Sequence, residues 1–289
     1  MTTPVTSVSN TSDKDEPILA EGIDLLRARY RDDTISAPDQ WNSVLSTLLS
    51  HRSVRAFLPT PVPAAIVETA IAAAQSAASS QNLQMWSVVA VEDPDRRGRL
   101  AEWSANQKFI REAPLFLIWL VDLSRLEFIS RDQNGAAEAL THLEPFIISI
   151  IDAALAAQNA VVAFESLGLG TVYVGAVRYS PLEVISELNL PPFVLPIFGL
   201  SVGYPDPTST TDVKPRLSQS VVLHRERYTS DHQRNGIADY DVKMRQFQNE
   251  QGMEIVDWSE NSIKRVQRLH EMVTGARYRE ALHSLGFAR

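Results

Sequence analysis

Apolar side chains recur at helical spacing in the first fifty residues. Over Asp39–Ser50, Trp41, Val44, Leu45, Leu48 and Leu49 fall three and four apart, which predicts a helix capped by Asp39. Pro17–Tyr30 predicts another short helix. The run His51-Arg52-Ser53-Val54-Arg55-Ala56-Phe57 then enters a turn holding Pro59, Pro61 and Pro63, which no helix can cross. Pro63 suits the start of an Ala-rich helix over 63–78, which ends in the polar run Ser79-Ser80-Gln81-Asn82. Met85–Val91 reads as a strand, bounded by the turn Glu92-Asp93-Pro94 and followed by a helix to about Ala105.

Pro114–Val121 is apolar at every position, as expected of a central strand covered on both faces. A long helix over 145–168, about 36 Å at 1.5 Å per residue, is apolar almost all round, which points to a subunit interface. Gly168-Leu169-Gly170 stops it, and Thr171–Gly175 reads as a strand. A short helix at 181–189 and a strand over Val194–Val202 follow. The alternation of strands and helices predicts an α+β or α/β class. Beyond Tyr204 the chain turns Pro-, Ser- and Thr-rich, then charged, with an amphipathic helix near 260–273. This divides the chain into a flexible leader (1–16), a core (17–228) and a helical C-terminal excursion of the same domain (229–289).

Composition narrows the chemistry. With no cysteine among 289 residues, a zinc ribbon, an iron–sulfur cluster and a thiol nucleophile are excluded. The net charge of −8, from 27 Lys plus Arg against 35 Asp plus Glu, opposes general nucleic-acid binding. Residues 1–16 lack the apolar stretch of an export signal. The apolar stretch Phe146–Phe164 is interrupted by Asp152, Gln158 and Asn159, and reads as a buried helix rather than a membrane span. A cytoplasmic protein without membrane attachment is therefore expected. The six histidines form no i, i+4 pair and no HExxH, so no metal site is expected.

Two motifs match familiar templates by letter. Gly168-Leu169-Gly170 begins like a dinucleotide-binding loop, but it runs from helix to strand, the reverse of what places a pyrophosphate on a helix N-terminus. Gly199-Leu200-Ser201-Val202-Gly203 is a literal GxSxG, with Asp257 and His270 downstream. The nucleophile elbow requires a helix after the serine, and Tyr204-Pro205-Asp206-Pro207 forbids one.

The remaining signals suit an anion. In an extended segment His51, Ser53 and Arg55 share one face beside Arg52, a donor set suited to a terminal phosphate. Lys214 and Arg216 form a second basic pair, held by Pro215. Either cluster alone is also an ordinary solvated surface. The run Ser79–Gln84 could line a planar heterocycle or serve as a capping turn.

In order and spacing, HRSVRAF (51–57), SSQNLQ (79–84), NQKFIREAP (106–114), AAQNAVVAFESLGLGTVYVGAVR (156–178), LPIFGLSVGYP (195–205), VKPRL (213–217) and DWSENSIKR (257–265) resemble the nitroreductase superfamily, in its flavin reductase and oxygen-insensitive NADPH nitroreductase branch. The resemblance spans about 45–285. It implies an α+β three-layer sandwich around a mostly antiparallel sheet, and a homodimer in which the C-terminal segment embraces the partner. It implies FMN as cofactor, NADPH or NADH as co-substrate, and ping-pong hydride transfer to a small-molecule electron acceptor such as a nitroaromatic, a quinone or free flavin, with no catalytic side chain beyond the flavin itself. By resemblance, His51, Arg52, Ser53, Arg55, Lys214 and Arg216 hold the phosphate and ribityl end. Ser79, Gln107, Tyr173, Val174 and Gly175 contact the flavin, and Ser80, Gln81 and Asn82 shape the acceptor pocket.

Three departures set the chain apart from that branch. Ala176 replaces a second glycine after the Tyr-Val-Gly strand. Gln81 and Asn82 sit in a loop that is serine-rich in relatives. Gln251-Gly252-Met253-Glu254 carries no cation where relatives tend to place arginines for the NADPH 2′-phosphate, so NADH should serve comparably. The rival readings are an FMN-storing or redox-responsive protein with little turnover, and a serine hydrolase using Ser201.

Overall fold

A computed structural model of the chain describes residues 16–209, 211–267 and 274–287. The expected leader, up to residue 15, His270 and the end of the helix expected at 260–273 lie outside the described residues. The helices are α1 (Glu16–Tyr30), α2 (Ser43–Ser50), α3 (Ala64–Gln75), α4 (Pro94–Trp103), α5 (Lys108–Glu112), α6 (Ser124–Asp132), α7 (Leu143–Ser166), α8 (Pro181–Glu187), α9 (Gln219–Val222), α10 (Gln233–Glu250), α11 (Trp258–Gln267) and α12 (Thr274–Ser284). The strands are β1 (Trp86–Val91), β2 (Leu115–Asp122), β3 (Gly170–Val174) and β4 (Val194–Gly203). Two compact units result. One comprises the chain up to His51 with Asp212–Lys264, the other Arg52–Thr211 with Arg265–Arg289.

In the second unit, four antiparallel strands form one open sheet in the order β1-β2-β4-β3. This is the α+β alternative, with the three layers expected. All eight residues of β2 are buried. Because successive side chains of a strand point to opposite faces, Leu115, Leu117, Trp119 and Val121 pack against α3, α7 and α12. Phe116, Ile118 and Leu120 meet α4, α5 and α8 on the other face. The β2–β4 register shifts between Trp119 and Leu120, where Trp119 pairs with Phe198 but Leu120 with Pro196. That bulge accommodates a proline inside a strand.

Helix α7 turns one face to this core, burying Phe146, Asp152, Ala153, Ala156, Ala160 and Phe164. Leu143, Ile147, Ile151 and Leu155, one helical turn apart, remain exposed in a continuous stripe. The helix stops as its sequence suggests. Gly168 adopts φ +83°, Leu169 N–H donates to the Phe164 carbonyl at 3.0 Å, and Gly168 N–H to the Glu165 carbonyl at 3.0 Å, a Schellman closure.

Some boundaries differ from expectation. The helix expected from Asp39 begins at Ser43, and its cap is Asn42, whose Oδ1 accepts the Leu45 N–H at 3.1 Å. The helix expected over 63–78 ends at Gln75, with Pro63 as its N-cap. Helix α6 had no distinct apolar period. It starts where Asp122 Oδ1 accepts the Ser124 N–H at 3.1 Å and the Ser124 hydroxyl at 2.6 Å.

The basic segment after His51 lies along the outer edge of β3. Ser53 forms a parallel bridge with Thr171, and Val54 N–H donates to the Thr171 carbonyl at 2.9 Å. Further on, Phe57 bridges Pro205, just beyond β4. This approach requires Gly170: a Cβ there would lie 2.6 Å from Val54 Cγ2. We expect Gly170→Ala to lower stability by about 1–3 kcal/mol through overpacking, measured by urea denaturation. Adding Val54→Ala should cost less in that background than in the wild type, a coupling of about 0.5 kcal/mol or more.

Candidate functional site

In the second unit, Val54 and Phe57 are buried with Ala113 and Val172, and they anchor the segment. Alternation along extended backbone turns Ser53 and Arg55, on either side of Val54, away from that buried side chain. Arg55 is exposed, and Arg52 and Ser53 are half-buried. The Ser53 carbonyl accepts the Thr211 hydroxyl at 3.4 Å, and Thr171 Oγ1 donates to Glu165 Oε1 at 2.7 Å.

Tyr173 and Val174 follow on the same strand, which is an edge of the sheet, and Gly175 opens the 3₁₀ turn beyond it. Edge strands keep backbone donors and acceptors outside the ladder, as a backbone-directed ligand contact needs. Tyr173 is 38% exposed, its ring edge-on to Phe198 at 5.4 Å. Burial of the phenol, and secondarily Glu165, holds its pKa above the usual range, so it stays a neutral donor. Val174 is buried, so any ligand contact it makes is through its backbone. Ala176 lies half-buried in the 3₁₀ turn Gly175–Tyr179, against the α4–α8 side of the core.

The polar run at 79–84 is a 3₁₀ turn held by a residue that the sequence reading treated only as an interruption. Asp152, on the inner face of α7 and 2% exposed, accepts the Ser79 hydroxyl at 2.7 Å (Oδ2) and the Ser80 N–H at 3.0 Å (Oδ1). Ser79 Oγ in turn accepts the Gln84 N–H at 2.8 Å. The hydroxyl proton of Ser79 is therefore committed to Asp152. A signal for this existed: a lone carboxylate inside an apolar helix must find donors. Gln81, Asn82 and Gln84 all take positive φ, 50°, 56° and 51°, with Gln81 and Asn82 exposed. Ala105 (φ 60°) and Asn106 (φ 54°) precede Gln107, which is half-buried and whose amide does not cap α5. Non-glycine residues in this conformation cluster where a loop is shaped for a ligand.

In the first unit, the two other basic positions are joined by Arg29, which the sequence reading missed. Arg29 is 6% exposed, and its guanidinium donates to the carbonyls of Leu49 (2.8 Å), His51 (2.8 Å) and Lys214 (2.9 Å). Its own carbonyl accepts the Arg216 N–H at 2.9 Å. The Pro215 carbonyl between them accepts the Tyr240 hydroxyl at 2.9 Å, and burial raises that phenol's pKa against the lowering influence of Arg216. A cavity of about 800 Å³ in this unit is lined by Tyr30, Lys214, Arg216, Tyr240, Met244 and Trp258, among others.

The start of α11 is fixed by another missed carboxylate. Asp241 on α10 accepts the Ser259 N–H at 3.0 Å and its hydroxyl at 2.5 Å. In the preceding turn, Gly252 has φ +61°, Gln251 Oε1 accepts the Asp212 N–H at 3.1 Å, and Met253 and Glu254 are exposed. No Lys or Arg occurs in this turn.

The serine hydrolase reading is overturned. Ser201 is fully buried inside β4, paired with Phe116 of β2 and Val172 of β3, on a strand that continues to Gly203. A nucleophile must instead sit exposed on a strand-to-helix turn. Asp257, the acid that reading required, forms an ion pair with Arg245.

Comparison with known proteins agrees with this architecture. Residues 48–204 match the model of the nitroreductase family, and residues 214–289 match its C-terminal domain. An FMN reductase [NAD(P)H] from Bacillus subtilis is 36% identical over 250 residues, covering 85% of this chain and 98% of the relative. The structure of B. megaterium NfrA2 superposes with a TM-score of 0.79 at 36% identity, covering 86% of this chain and 98% of the other. That of the NADPH:FMN oxidoreductase from Vibrio harveyi complexed with NAD+ superposes at 0.74 and 32%, covering 85% and 99%. The chain belongs to the nitroreductase family.

Proposed function

We propose that this protein is an FMN-dependent NAD(P)H oxidoreductase that reduces small-molecule acceptors, such as nitroaromatics, quinones or free flavin. The observation that carries this reading is the seating of the basic run after His51 along the edge of β3, the strand that also presents Tyr173 and leads into Gly175. The names of relatives matched over nearly their whole length, FMN reductase and NADPH:FMN oxidoreductase among them, support the same cofactor and co-substrate.

The residues fit FMN. In the second unit Arg52, Ser53 and Arg55 carry the hydroxyl and cationic groups that a dianionic phosphate and the ribityl end need, and His51, Lys214 and Arg216 are assigned to the same end of the cofactor by the family resemblance alone. Gly175 and Val174 contribute backbone groups, Tyr173 a neutral phenol and Gln107 an amide not used to cap its helix. Ser79, whose proton serves Asp152, contributes at most an acceptor lone pair. FMN, when bound, would supply the hydride-transfer chemistry between NAD(P)H and the acceptor. The protein orients these partners and supplies fixed dipoles where negative charge develops. Ser80, Gln81 and Asn82, in a loop held open by Asp152, form the acceptor side.

The protein acts as a homodimer in this reading. The exposed stripe Leu143, Ile147, Ile151 and Leu155 is the apolar, regularly spaced surface that a helix presents to a partner. Dependence on an intracellular reduced nucleotide supports a cytoplasmic location.

Two expectations test these statements. In anaerobic titrations followed by visible absorption, the flavin bands of the purified protein should bleach with both NADH and NADPH. With no cation in the 251–254 turn, the two rates should lie within about tenfold of each other. A colourless protein that FMN cannot reconstitute would remove the flavin reading, and a strong NADPH preference would remove the argument from that turn. Ile151→Glu should weaken dimer association by at least about a hundredfold, because an unpaired carboxylate would enter an apolar interface. Sedimentation equilibrium measures it.

A further inference from the structure

Between the turn at 79–84, the end of α3, the start of β1 and helix α6, all in the second unit, lies a cavity of about 540 Å³. That volume suits a small ligand. Leu83, Trp86, Leu126 and Ile129 give it apolar walls, and Asn82 and Gln84 bring the turn to it. Among the described residues that line it, Arg125 alone is charged. We infer that this cavity receives the electron acceptor, and that Arg125 makes the protein selective for aromatic acceptors that carry a carboxylate. The inference rests on the flavin reading above, which assigns the outward residues of the same turn to the acceptor side.

The guanidinium is fixed in place without being used up. Its Nη1 donates to the Gln84 carbonyl at 2.6 Å, and its Nη2 to Ser87 Oγ at 3.2 Å and to Asp122 Oδ2 at 3.5 Å. A guanidinium has five N–H donors, so these three contacts leave two for a ligand, and the side chain is 47% exposed. Asp122 holds the group but competes weakly for it. Its Oδ1 accepts the Ser124 N–H and hydroxyl, its Oδ2 accepts the Ser87 hydroxyl at 2.5 Å, and its contact with Arg125 is at the long limit of a hydrogen bond. The bond to the Gln84 carbonyl ties α6 to the turn, so the charge keeps a set position relative to the residues that face the acceptor.

Trp86 supplies a flat wall. Its ring is half-buried, and the fully buried Trp119 packs against it with centroids 5.3 Å apart and planes inclined at 38°. A ring supported in this way keeps its orientation, and an aromatic acceptor can pack on it. The choice of charge follows from the rest of the molecule. With a net charge of −8 the average surface repels an anion, so selectivity for a carboxylate must come from a local cation, and the planar fork of Arg125 matches the two oxygens of that group.

The experiment uses isothermal titration calorimetry on the oxidised holoprotein to compare benzoate with benzamide, a neutral molecule of nearly the same shape, in wild type, Arg125→Gln and Arg125→Lys. Wild type should bind benzoate at least about fivefold more tightly than benzamide, and added salt should narrow that ratio. In Arg125→Gln the two affinities should come within about twofold of each other. Arg125→Lys, which keeps the charge but not the fork, should fall in between. In turnover, the ratio of kcat/KM for 4-nitrobenzoate to that for 4-nitrobenzamide should follow the same order. A wild type that binds benzoate and benzamide equally overturns the inference and leaves the flavin reading standing. So does an Arg125→Gln that weakens both alike and keeps the wild-type ratio, which is the mark of a merely structural role. If Arg125→Gln does not fold, the salt dependence in wild type decides, and a ratio that salt does not move overturns the inference equally. A protein that cannot be loaded with FMN would instead remove the flavin reading, and this inference with it.

Discussion

A strand that is apolar from Leu115 through Val121 cannot leave either face to water, and this constraint on β2 organises the second unit. Covering both faces demands helices on both sides, which α3, α7 and α12 supply on one and α4, α5 and α8 on the other. With β2 in the interior and β4 beside it, β3 is left at the margin. Its outer edge is where the basic segment docks, so the burial of Leu115–Asp122 and the accessibility of Tyr173 are two results of one arrangement. Antiparallel sheets usually keep one wet face, with alternating polar residues. The uninterrupted apolar run of β2 marks the exception.

The fold was legible wherever periodicity was strong. Pro114–Val121 read as a doubly covered strand, the 145–168 stretch as one long helix, and Gly168 as its stop, because each rests on a local rule that the folded chain obeys. Helix α6, which obeys no local period, is begun by Asp122 reaching two residues ahead, and the start of α11, a helix expected from about residue 260, is set by Asp241 on another helix. Asn42 displaced Asp39 as a cap because the competition between them is decided by where the following backbone enters the helix, which neither residue reveals alone.

The site was legible in its residue types and illegible in its supports. His51, Arg55, Lys214 and Arg216 stand out as basic residues beside turns. Arg29 does not, since Arg27, Arg29 and Arg31 all fall within five residues and only one of them is buried against carbonyls. The Ser201 motif shows the opposite error, a pattern of letters whose setting, the middle of a paired strand, removes its chemistry. Resemblance to a family carried the assignment further than local chemistry did, but it says nothing of a helix that lies outside the matched stretches.

The turn at Ser79–Gln84 separates the residues that hold its shape from those that face solvent. Its shape depends on Ser79, the Ser80 amide and the carboxylate of Asp152, all turned inward. Gln81 and Asn82, turned to solvent, are free of that duty, yet their left-handed backbone restricts what can replace them. Asparagine, aspartate and glycine suit that backbone best and β-branched residues least, so the solvent-facing side chains of this turn can change in polarity and bulk while the inward bonds beneath them stay as they are.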